Sequence, residues 1–350
     1  MRAHTARIDW VDAARGIGIL LVVFGHVWRG LWESSLLTDE PLFVAIDTAI
    51  YLFHMPLFFL VSGMFFEKSA LRDGFLGSLF KRCETLLFPL LIWSWVFAAF
   101  LLMSGGFTSR GSLTPMEALL YPFPPQDIFW FLWALFLIQM FSLLLLRMTD
   151  RTLVVVFLAS LALTMLQPEI PGTALLGGFF KGLPFFLAGV LLTRRDLFGP
   201  QPVRSAAAVG TGVFALSILC AVAFGLQGGA LGTLLSLVAA LGFCAMIYGL
   251  APRLPPRLLA ILTFLGATSM AIYVMHIAPE AAARIVLVHL GLDALWIQLL
   301  GGMLGGVLVP LAAYQCFKRL GLLRAFGLGR DRPGKELPLS HGQAPSSASP

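Results

Sequence analysis

Residues 14–30 read ARGIGILLVVFGHVWRG, in which Gly16 to Gly25 is a run without charge that has Arg15 directly before it and His26 directly after it. Eleven residues of α-helix turn through about 1100°, three turns plus about 20°, so Arg15 and His26 would share one helical face roughly 16 Å apart along the axis. Ionisable side chains inside an apolar helix are costly and by default mark functional sites. The run therefore predicts a membrane helix that carries part of a site.

The composition of the chain excludes an ordinary soluble protein. Of its 350 residues, 58% are hydrophobic and 12% are charged, whereas soluble domains carry about 25% charged residues. Long apolar runs recur without strand periodicity, which predicts an all-α, polytopic membrane bundle of about ten transmembrane helices. The expected spans are 12–31, 43–66, 86–105, 129–147, 152–168, 173–192, 205–225, 230–250, 258–278 and 294–317.

The basic residues are distributed unevenly between the two predicted sides. Three of them, Arg29, Arg110 and Arg284, lie opposite the N-terminus, and nineteen share its side. This positive-inside pattern predicts that both termini are cytoplasmic, in the inner membrane of a cell. The net charge of +6 is spread over short clusters, so no nucleic-acid partner is expected. The nineteen are Arg2, Arg7, Lys68, Arg72, Lys81, Arg82, Arg147, Arg151, Arg194, Arg195, Arg204, Arg253, Arg257, Lys318, Arg319, Arg324, Arg330, Arg332 and Lys335.

The sequence indicates one domain with no covalent or metal framework. Residues 1–327 are expected to form the transmembrane domain, and residues 328–350, rich in Pro, Ser and Gly, a disordered cytoplasmic tail. The four cysteines show no CxxC spacing, so neither a disulfide frame nor a metal site is indicated. The first run lacks an A-x-A cleavage site and is interpreted as an uncleaved span. Residues 106–128 form the longest outer loop, with room for a short interfacial helix.

Arg15 and His26 suit two different parts of one reaction. A histidine kept neutral by burial works as a general base near neutral pH, and the planar fork of an arginine binds phosphate groups. Taken alone, Arg15 would equally fit an anchor at the cytoplasmic end of its helix. Together the two residues fit a long phosphorylated donor whose reactive end enters the membrane. Acyl-coenzyme A thioesters have that shape, a phosphorylated nucleotide followed by a narrow pantetheine arm.

Other polar residues also lie inside the predicted spans. His54 precedes Pro56 in the second span, and Ser269, Tyr273 and His276 stack on one face of the ninth at i, i+4 and i+7. A lone histidine in a span is more often a hydrogen-bonded packing residue, and this alternative stays open for His54. His276 lies near an outer boundary, where contact with water is the alternative. We expect the ninth-span stripe to line the interior of the bundle.

The chain resembles the membrane-bound acyltransferase 3 family, integral-membrane O-acyltransferases that modify glycans, and within it the members akin to fucose acetylases. The family hallmark is a basic residue, ten arbitrary residues and a histidine in the first span, here Arg15 and His26. Many members add a C-terminal SGNH hydrolase-like domain. This sequence has a short tail at that place, so we expect a second transfer step by such a domain to be absent or supplied by another protein. Six blocks agree in order over about residues 8 to 320: RIDWVDAARGIGILLVVFGHV, FHMPLFFLVSGMFF, FKRCETLLFPLL, WFLWALF, PFFLAGVLL and LGATSMAIYVMH.

The resemblance implies transfer of an acyl group, most often acetyl, from a cytoplasmic acyl-CoA co-substrate to a hydroxyl of a glycan or other outer acceptor, without a tightly bound cofactor. His26 would act as a general base or carry the acyl group transiently. A transporter or flippase for a small or lipid-linked substrate is the alternative, because transporters also place polar residues near the midplane. The candidates are His26, Tyr273 and His276 for catalysis, Arg15 and Arg82 for CoA phosphate, and His54 and Ser269 for substrate contact.

Overall fold

The chain folds into helices throughout the part that the structure describes. The computed structural model describes residues 2–103, 113–166, 175–199 and 204–329, and it contains no β-strand there, which confirms the all-α prediction for these ranges. A π-helical turn, Cys83–Leu87, leads into the fourth helix. The helices are α1 (Arg2–Glu33), α2 (Glu40–Tyr51), α3 (His54–Arg82), α4 (Phe88–Met103), α5 (Pro115–Leu120), α6 (Trp130–Leu145), α7 (Asp150–Leu166), α8 (Gly177–Arg194), α9 (Arg204–Phe224), α10 (Gly229–Leu250), α11 (Pro256–Ala267), α12 (Ser269–Met275), α13 (Ile277–His289) and α14 (Leu295–Arg319).

Helix α1 is the central element, packed against α11, α14 and several other helices. Glycines allow α1 and α11 to touch through their backbones. A Cβ at Gly16 would overlap the carbonyl oxygen of Leu262, and a Cβ at Gly266 would overlap that of Asp12. Small residues permit this close approach in membrane helix pairs. Arg15 is next to Gly16 in this contact, so the contact fixes the position of Arg15 relative to α12, the helix that follows α11.

The ninth predicted span, 258–278, is not one straight helix. α11 ends at Ala267 and α12 begins at Ser269, with a bend of 57° between them. Thr268 has φ −99° and ψ 6°, and its hydroxyl donates to the Phe264 carbonyl oxygen at 2.8 Å. A hydroxyl that bonds back to the preceding turn offers the backbone an alternative to a regular helix. Beyond the bend, α12 packs against α1.

The second predicted span, 43–66, is interrupted as well. α2 ends at Tyr51 and α3 begins at His54. Pro56 lies in the first turn of α3, where its missing N–H removes no helical hydrogen bond. α3 kinks at Gly74, whose φ of 68° lies in the left-handed region that favours glycine. The predicted second span therefore consists of parts of two helices.

Six helical stretches are long and apolar enough to cross a membrane, and the bent pair α11–α12 is a seventh if it forms one span. The predicted number of ten is not confirmed within the described residues. The apolar helices and their lengths suit a membrane protein. The six stretches are Asp9–Glu33, Glu40–Met103, Asp127–Leu145, Ser205–Phe224, Gly229–Arg253 and Leu295–Arg319.

The connection between α4 and α6 contains a short helix, as expected. Thr114 caps α5, and its backbone amide donates to the Glu117 carboxylate at 2.8 Å. This hydrogen bond and one from the Thr114 hydroxyl lower the pKa of Glu117. Arg110 and all but two residues of the predicted tail, 328–350, lie outside the described residues.

Candidate active site

Arg15 opens into a cavity of about 330 Å³ between α1, α3, α6 and α12, which we term the Arg15 cavity. Its Nη2 donates to the Ser269 hydroxyl at 3.1 Å, and its Nη1 lies 3.3 Å from the Asp12 carboxylate. The Arg15 side chain is 35% exposed because the cavity reaches it. Tyr273 lines the same cavity. A guanidinium and two hydroxyl-bearing side chains thus surround one space.

Two further cations line the Arg15 cavity. Arg82 is buried, lies 4.9 Å from the Phe66 ring centroid and donates from Nη1 to the Ser78 carbonyl oxygen at 3.1 Å. Its Nε has no hydrogen-bond partner among the described residues. Lys81 forms an ion pair with Asp73 at 2.7 Å. Cations gathered around one cavity form the charge pattern that binds phosphate groups.

A larger cavity of about 740 Å³ adjoins the Arg15 cavity at Lys81 and Thr85, which line both. Arg72 and Arg324 supply further guanidinium groups to its wall. Arg324 pairs with Glu84 at 3.1 Å, so this space contains acids as well as cations. The two adjoining cavities, whose walls carry more basic than acidic side chains, are termed the basic passage below.

His26 contacts the segment 269–276, which consists of α12 and the residue after it, His276. Its ring centroid lies 5.1 Å from that of His276, which lies 6.2 Å from that of Tyr273. Because Arg15 and His26 both contact this segment, the prediction that they share one face of α1 is confirmed. His276 Nδ1 lies 2.8 Å from the Tyr273 carbonyl oxygen. A carbonyl only accepts, so this contact places a proton on Nδ1 of His276.

On its other side, His26 lines a second cavity of about 140 Å³, the His26 cavity. The wall of this cavity carries four charged residues, Arg29 and Glu33 from α1 and Glu280 and Arg284 from α13. Glu280 is buried, with 5% of its surface exposed. Guanidinium groups donate hydrogen bonds and carboxylates accept them, so this cavity suits a ligand that bears hydroxyl groups.

Arg29 is held in position by α2. Its Nε and Nη2 donate to the two carboxylate oxygens of Asp47 at 2.6 and 2.9 Å, a bidentate ion pair. The Arg29 guanidinium also lies 3.3 Å from the ring centroid of Tyr51. The Tyr51 ring lies edge-on to His26 at 6.5 Å and to His54 at 4.7 Å. Its buried hydroxyl has no hydrogen-bond partner among the described residues.

Tyr273, His276 and His26 separate the two cavities. Tyr273 lines the Arg15 cavity, His26 lines the His26 cavity, and the ring of His276 contacts both of their rings. No described residue lines both cavities. The Tyr273 hydroxyl donates to the Ile128 carbonyl oxygen. Groups bound on the two sides would therefore meet at this set of aromatic and imidazole rings.

The structure brings together most residues that the sequence singles out, although it does not test their roles. The ninth-span stripe is buried as expected, with Ser269, Tyr273 and His276 exposed by 3%, 7% and 0%. His54 lies apart: it is buried, its Nδ1 lies 2.8 Å from the Ile50 carbonyl oxygen, and it lines neither cavity in the described part of the chain. Of the predicted site residues, four line the Arg15 cavity: Arg15, Arg82, Ser269 and Tyr273.

Sequence reasoning missed the charged residues around His26, although signals for them existed. Asp47 is the single acidic residue of the apolar run 43–66. Arg29 and Arg284 were counted only as basic residues of the predicted outer side. Glu280 follows His276 by four residues, the spacing of neighbours on a helix.

The central helix of this helical bundle thus carries an arginine and a histidine eleven positions apart, each on the wall of a different cavity. The family profile described as "Acyltransferase domain" matches residues 8–315. The chain belongs to this family, the acyltransferase 3 family.

Similarity to individual proteins is more local. Two nodulation proteins NolL, from Sinorhizobium fredii (strain NBRC 101917 / NGR234) and Mesorhizobium japonicum (strain LMG 29417 / CECT 9101 / MAFF 303099), are each 34% identical over 128 residues. These segments cover 35% and 36% of this chain and 32% of each NolL protein, so the chain matches about a third of the length of either relative. No solved structure matches the chain.

Proposed function

We propose that this protein is a membrane-embedded O-acyltransferase that moves an acyl group, acetyl in the simplest case, from cytoplasmic acyl-CoA to a hydroxyl of a glycan or other acceptor on the outer side. Family membership supports the reaction class. The observation that carries the proposal is that His26, on the wall of the charged cavity, is linked through the ring of His276 to Tyr273, on the wall of a separate basic cavity. Two substrates from opposite sides of a membrane need two such spaces with the reacting group between them.

The basic passage is the proposed donor site. Lys81 and Arg82 belong to a connection that the positive-inside pattern assigns to the cytoplasm, where acyl-CoA is available. The nucleotide phosphates would lie near Arg82 and the adjoining cavity, and the pantetheine arm would extend past Arg15 toward Tyr273. Bidentate donation by guanidinium groups suits phosphate oxygens. The unpartnered Nε of the buried Arg82 supports this assignment.

The proposed chemical step uses His26 at the boundary of the acceptor site. As a base, His26 takes the proton of the acceptor hydroxyl while the oxygen attacks the thioester carbonyl. The tetrahedral intermediate collapses, the C–S bond breaks, and the leaving thiolate takes the proton from the imidazolium. If His26 instead attacks first and carries the acyl group, the products are the same ester and free CoA. His276 supports His26 through their ring contact.

The test measures transfer of labelled acetyl from [14C]acetyl-CoA in membranes that contain the protein, with alkali-labile label as the signature of an O-ester. Wild type should form such ester and release free CoA thiol. We expect His26→Ala to lower turnover roughly 100-fold or more, with no rescue by added donor, while CoA binding survives. His289→Ala is the matched control, since this histidine is exposed and lies outside both cavities.

Two outcomes would contradict the proposal. A folded His26→Ala protein that transfers acetyl at the parent rate would remove the catalytic role of the histidine. Wild-type protein that consumes no thioester in the presence of its own membranes would favour a transporter. Size-exclusion profiles of the detergent-extracted variants separate either result from simple misfolding.

A further inference from the structure

A third cavity, of about 260 Å³, lies between α4, the α12–α13 segment and α14. We term it the apolar cavity, because every described residue that lines it is apolar. Trp93 and Phe317 line one part of it, and the indole Nε1 of Trp93 donates to the Phe326 carbonyl oxygen. Val96 and Val309 also line it and are 46% and 52% exposed, so the cavity opens at the lateral surface of the bundle. A hydrocarbon chain can enter such an opening directly from a bilayer.

The apolar cavity adjoins the His26 cavity. Phe97, Phe100 and Ile277 line both spaces. No described residue lines both the apolar cavity and the Arg15 cavity. The hydrocarbon-lined space therefore belongs to the side where the acceptor is proposed to bind, and it has no described connection to the side of the donor.

The direction of the apolar cavity matches that of a lipid tail. From the junction at Phe97 and Phe100, it extends back along α4 to Trp93 and along α14 to Phe317. In the proposed topology this path leads from the outer half of the membrane past its middle, toward the cytoplasmic end of α14. The tail of an outer-leaflet lipid runs the same way when its polar head lies at the membrane surface.

We propose that the acceptor is lipid-linked: its hydroxylated head lies in the His26 cavity, and its hydrocarbon chain lies in the apolar cavity. This inference rests on the proposed acyl transfer and adds the class of acceptor. A chain gains little by leaving bilayer lipid for an equally apolar cavity. The role of the bound hydrocarbon chain is therefore to hold the acceptor hydroxyl beside His26. An experiment should accordingly detect this chain inside the apolar cavity.

Photolabelling tests this inference in the full-length protein in lipid nanodiscs. The probe is a farnesyl glucoside with a diazirine in its prenyl chain, and labelled peptides are mapped by mass spectrometry. We expect label on α4 around Val96 and on α14 around Val309, which excess farnesyl glucoside removes and methyl glucoside does not. Ala313→Trp fills the cavity and should lower the label at least fivefold. Ala312→Trp is the matched control, because Ala312 is exposed and lies outside the described lining.

Folding and donor binding are controlled in the same preparation. Both tryptophan variants should elute as the parent protein does and bind acetyl-CoA equally well. Ala278→Leu, on the wall opposite Ala313, should reproduce the loss of label. In membranes, both cavity-filling variants should lower acetyl transfer to lipid-extractable acceptor, while Ala312→Trp should not.

The remaining outcomes overturn the inference and identify what replaces it. Equal labelling of the same peptides by a diazirine phosphatidylglycerol would assign the cavity to ordinary bilayer lipid. A change in acyl-CoA chain-length preference in Ala313→Trp, with unchanged prenyl label, would assign it to the donor. If wild type is labelled but neither releases CoA thiol nor forms ester, the proposed function fails, and the space is not an acceptor site. If ester forms equally well on a water-soluble glycan in wild type and Ala313→Trp, only the lipid-linked acceptor fails.

Discussion

Arg15 and His26 face the same stretch of chain but meet different groups there. Arg15 bonds the Ser269 hydroxyl at the end of a basic passage, whereas His26 contacts the imidazole of His276 and borders a separate cavity. Loss of a group that binds the donor raises KM, and loss of a group that acts in the chemical step lowers kcat. The two positions therefore predict two different kinetic phenotypes.

Arg15→Lys should weaken donor binding. Lysine keeps the charge but loses the planar fork that bonds Asp12 and Ser269 and that is proposed to bind phosphate. Loss of one charge-assisted hydrogen bond predicts a rise in the KM for acetyl-CoA of about tenfold or more, and excess donor should restore much of the rate. Steady-state thiol release over a range of acetyl-CoA concentrations measures this. Arg257→Lys, at an exposed arginine outside the site, should leave KM unchanged; equal KM values in both variants would contradict donor binding by Arg15.

Tyr273→Phe and His276→Ala should lower acyl transfer more than they lower the yield of folded protein. Tyr273 lines the donor-side cavity, and His276 contacts both Tyr273 and His26, so both changes alter the boundary where the substrates meet. Tyr273→Phe also removes the hydroxyl hydrogen bond to the Ile128 carbonyl oxygen, which still accepts from the Trp130 backbone N–H, at a cost of about 0.5–1.5 kcal/mol in stability. Thermal unfolding is therefore measured beside activity. Full activity in both variants would show that Tyr273 and His276 only pack in the interior and take no part in acyl transfer.

The residue scale also shows what sequence alone can supply. The spacing of eleven residues placed Arg15 and His26 on one face, and the i, i+4, i+7 pattern placed Ser269 and Tyr273 in the interior, because helical geometry is local. The pairing of Arg29 with Asp47 depends on how α2 packs against α1. The spacing of residues within one helix does not determine that contact. The contacts of Tyr51 with Arg29 and His26 can therefore be seen only in the folded chain.

At the scale of elements, the contact between α1 and α11 depends on glycine. Gly16→Ala puts a methyl group into the Leu262 carbonyl, and overpacking of this kind typically costs about 1–3 kcal/mol. We expect a lower midpoint of thermal unfolding in detergent, together with reduced acyl transfer, because Arg15 adjoins the displaced contact. Gly212→Ala on α9 is the control, since a Cβ there meets open space and alanine favours a helix by up to about 1 kcal/mol. If the Gly16→Ala protein is as stable as the Gly212→Ala protein, α1 and α11 can move apart without loss of stability, and the close contact is not needed.

Element boundaries were harder to predict than element type. Apolar runs identify helices because only intrachain hydrogen bonding satisfies the backbone in lipid. The same runs remain apolar across the bend at Thr268 and across the break between Tyr51 and His54, so hydropathy alone cannot detect either interruption. Both breaks depend on side chains that bond or pack locally, and both lie beside the candidate site.

At the scale of the whole molecule, ion pairs join segments assigned to one side of the membrane. Arg194 binds Glu67 through Nε at 2.9 Å and Asp150 through Nη1 at 3.1 Å. These three residues come from three separate predicted cytoplasmic connections, and side chains so close together must share a side. The network is thus a tertiary observation that these three connections share a side, independent of the count of basic residues, and it leaves open which side that is.

Reporter fusions test that orientation. We expect fusions at Arg195 and Arg319 to report the cytoplasm and a fusion at Gly228 to report the outside, read with alkaline phosphatase for the outside and a fluorescent protein for the inside. The structure makes this test independent of the total number of spans, because only α9 lies between Arg195 and Gly228 among the described helices.

Each possible pattern of reporter signals leads to a different conclusion about the topology of the protein. Because the stretch Ser205–Phe224 is apolar and mostly exposed in the bundle, it suits a lipid-facing span, so Arg195 and Gly228 must lie on opposite sides if it crosses. Equal signals at these two positions would show that α9 does not cross. Opposite signals of inverted sign, with Arg195 outside, would place the basic passage beyond the reach of cytoplasmic acyl-CoA and would refute the proposed direction of transfer. The expected pattern would instead place the Arg15 cavity toward the donor and the His26 cavity toward the outside, which is the arrangement that acyl transfer across the membrane requires.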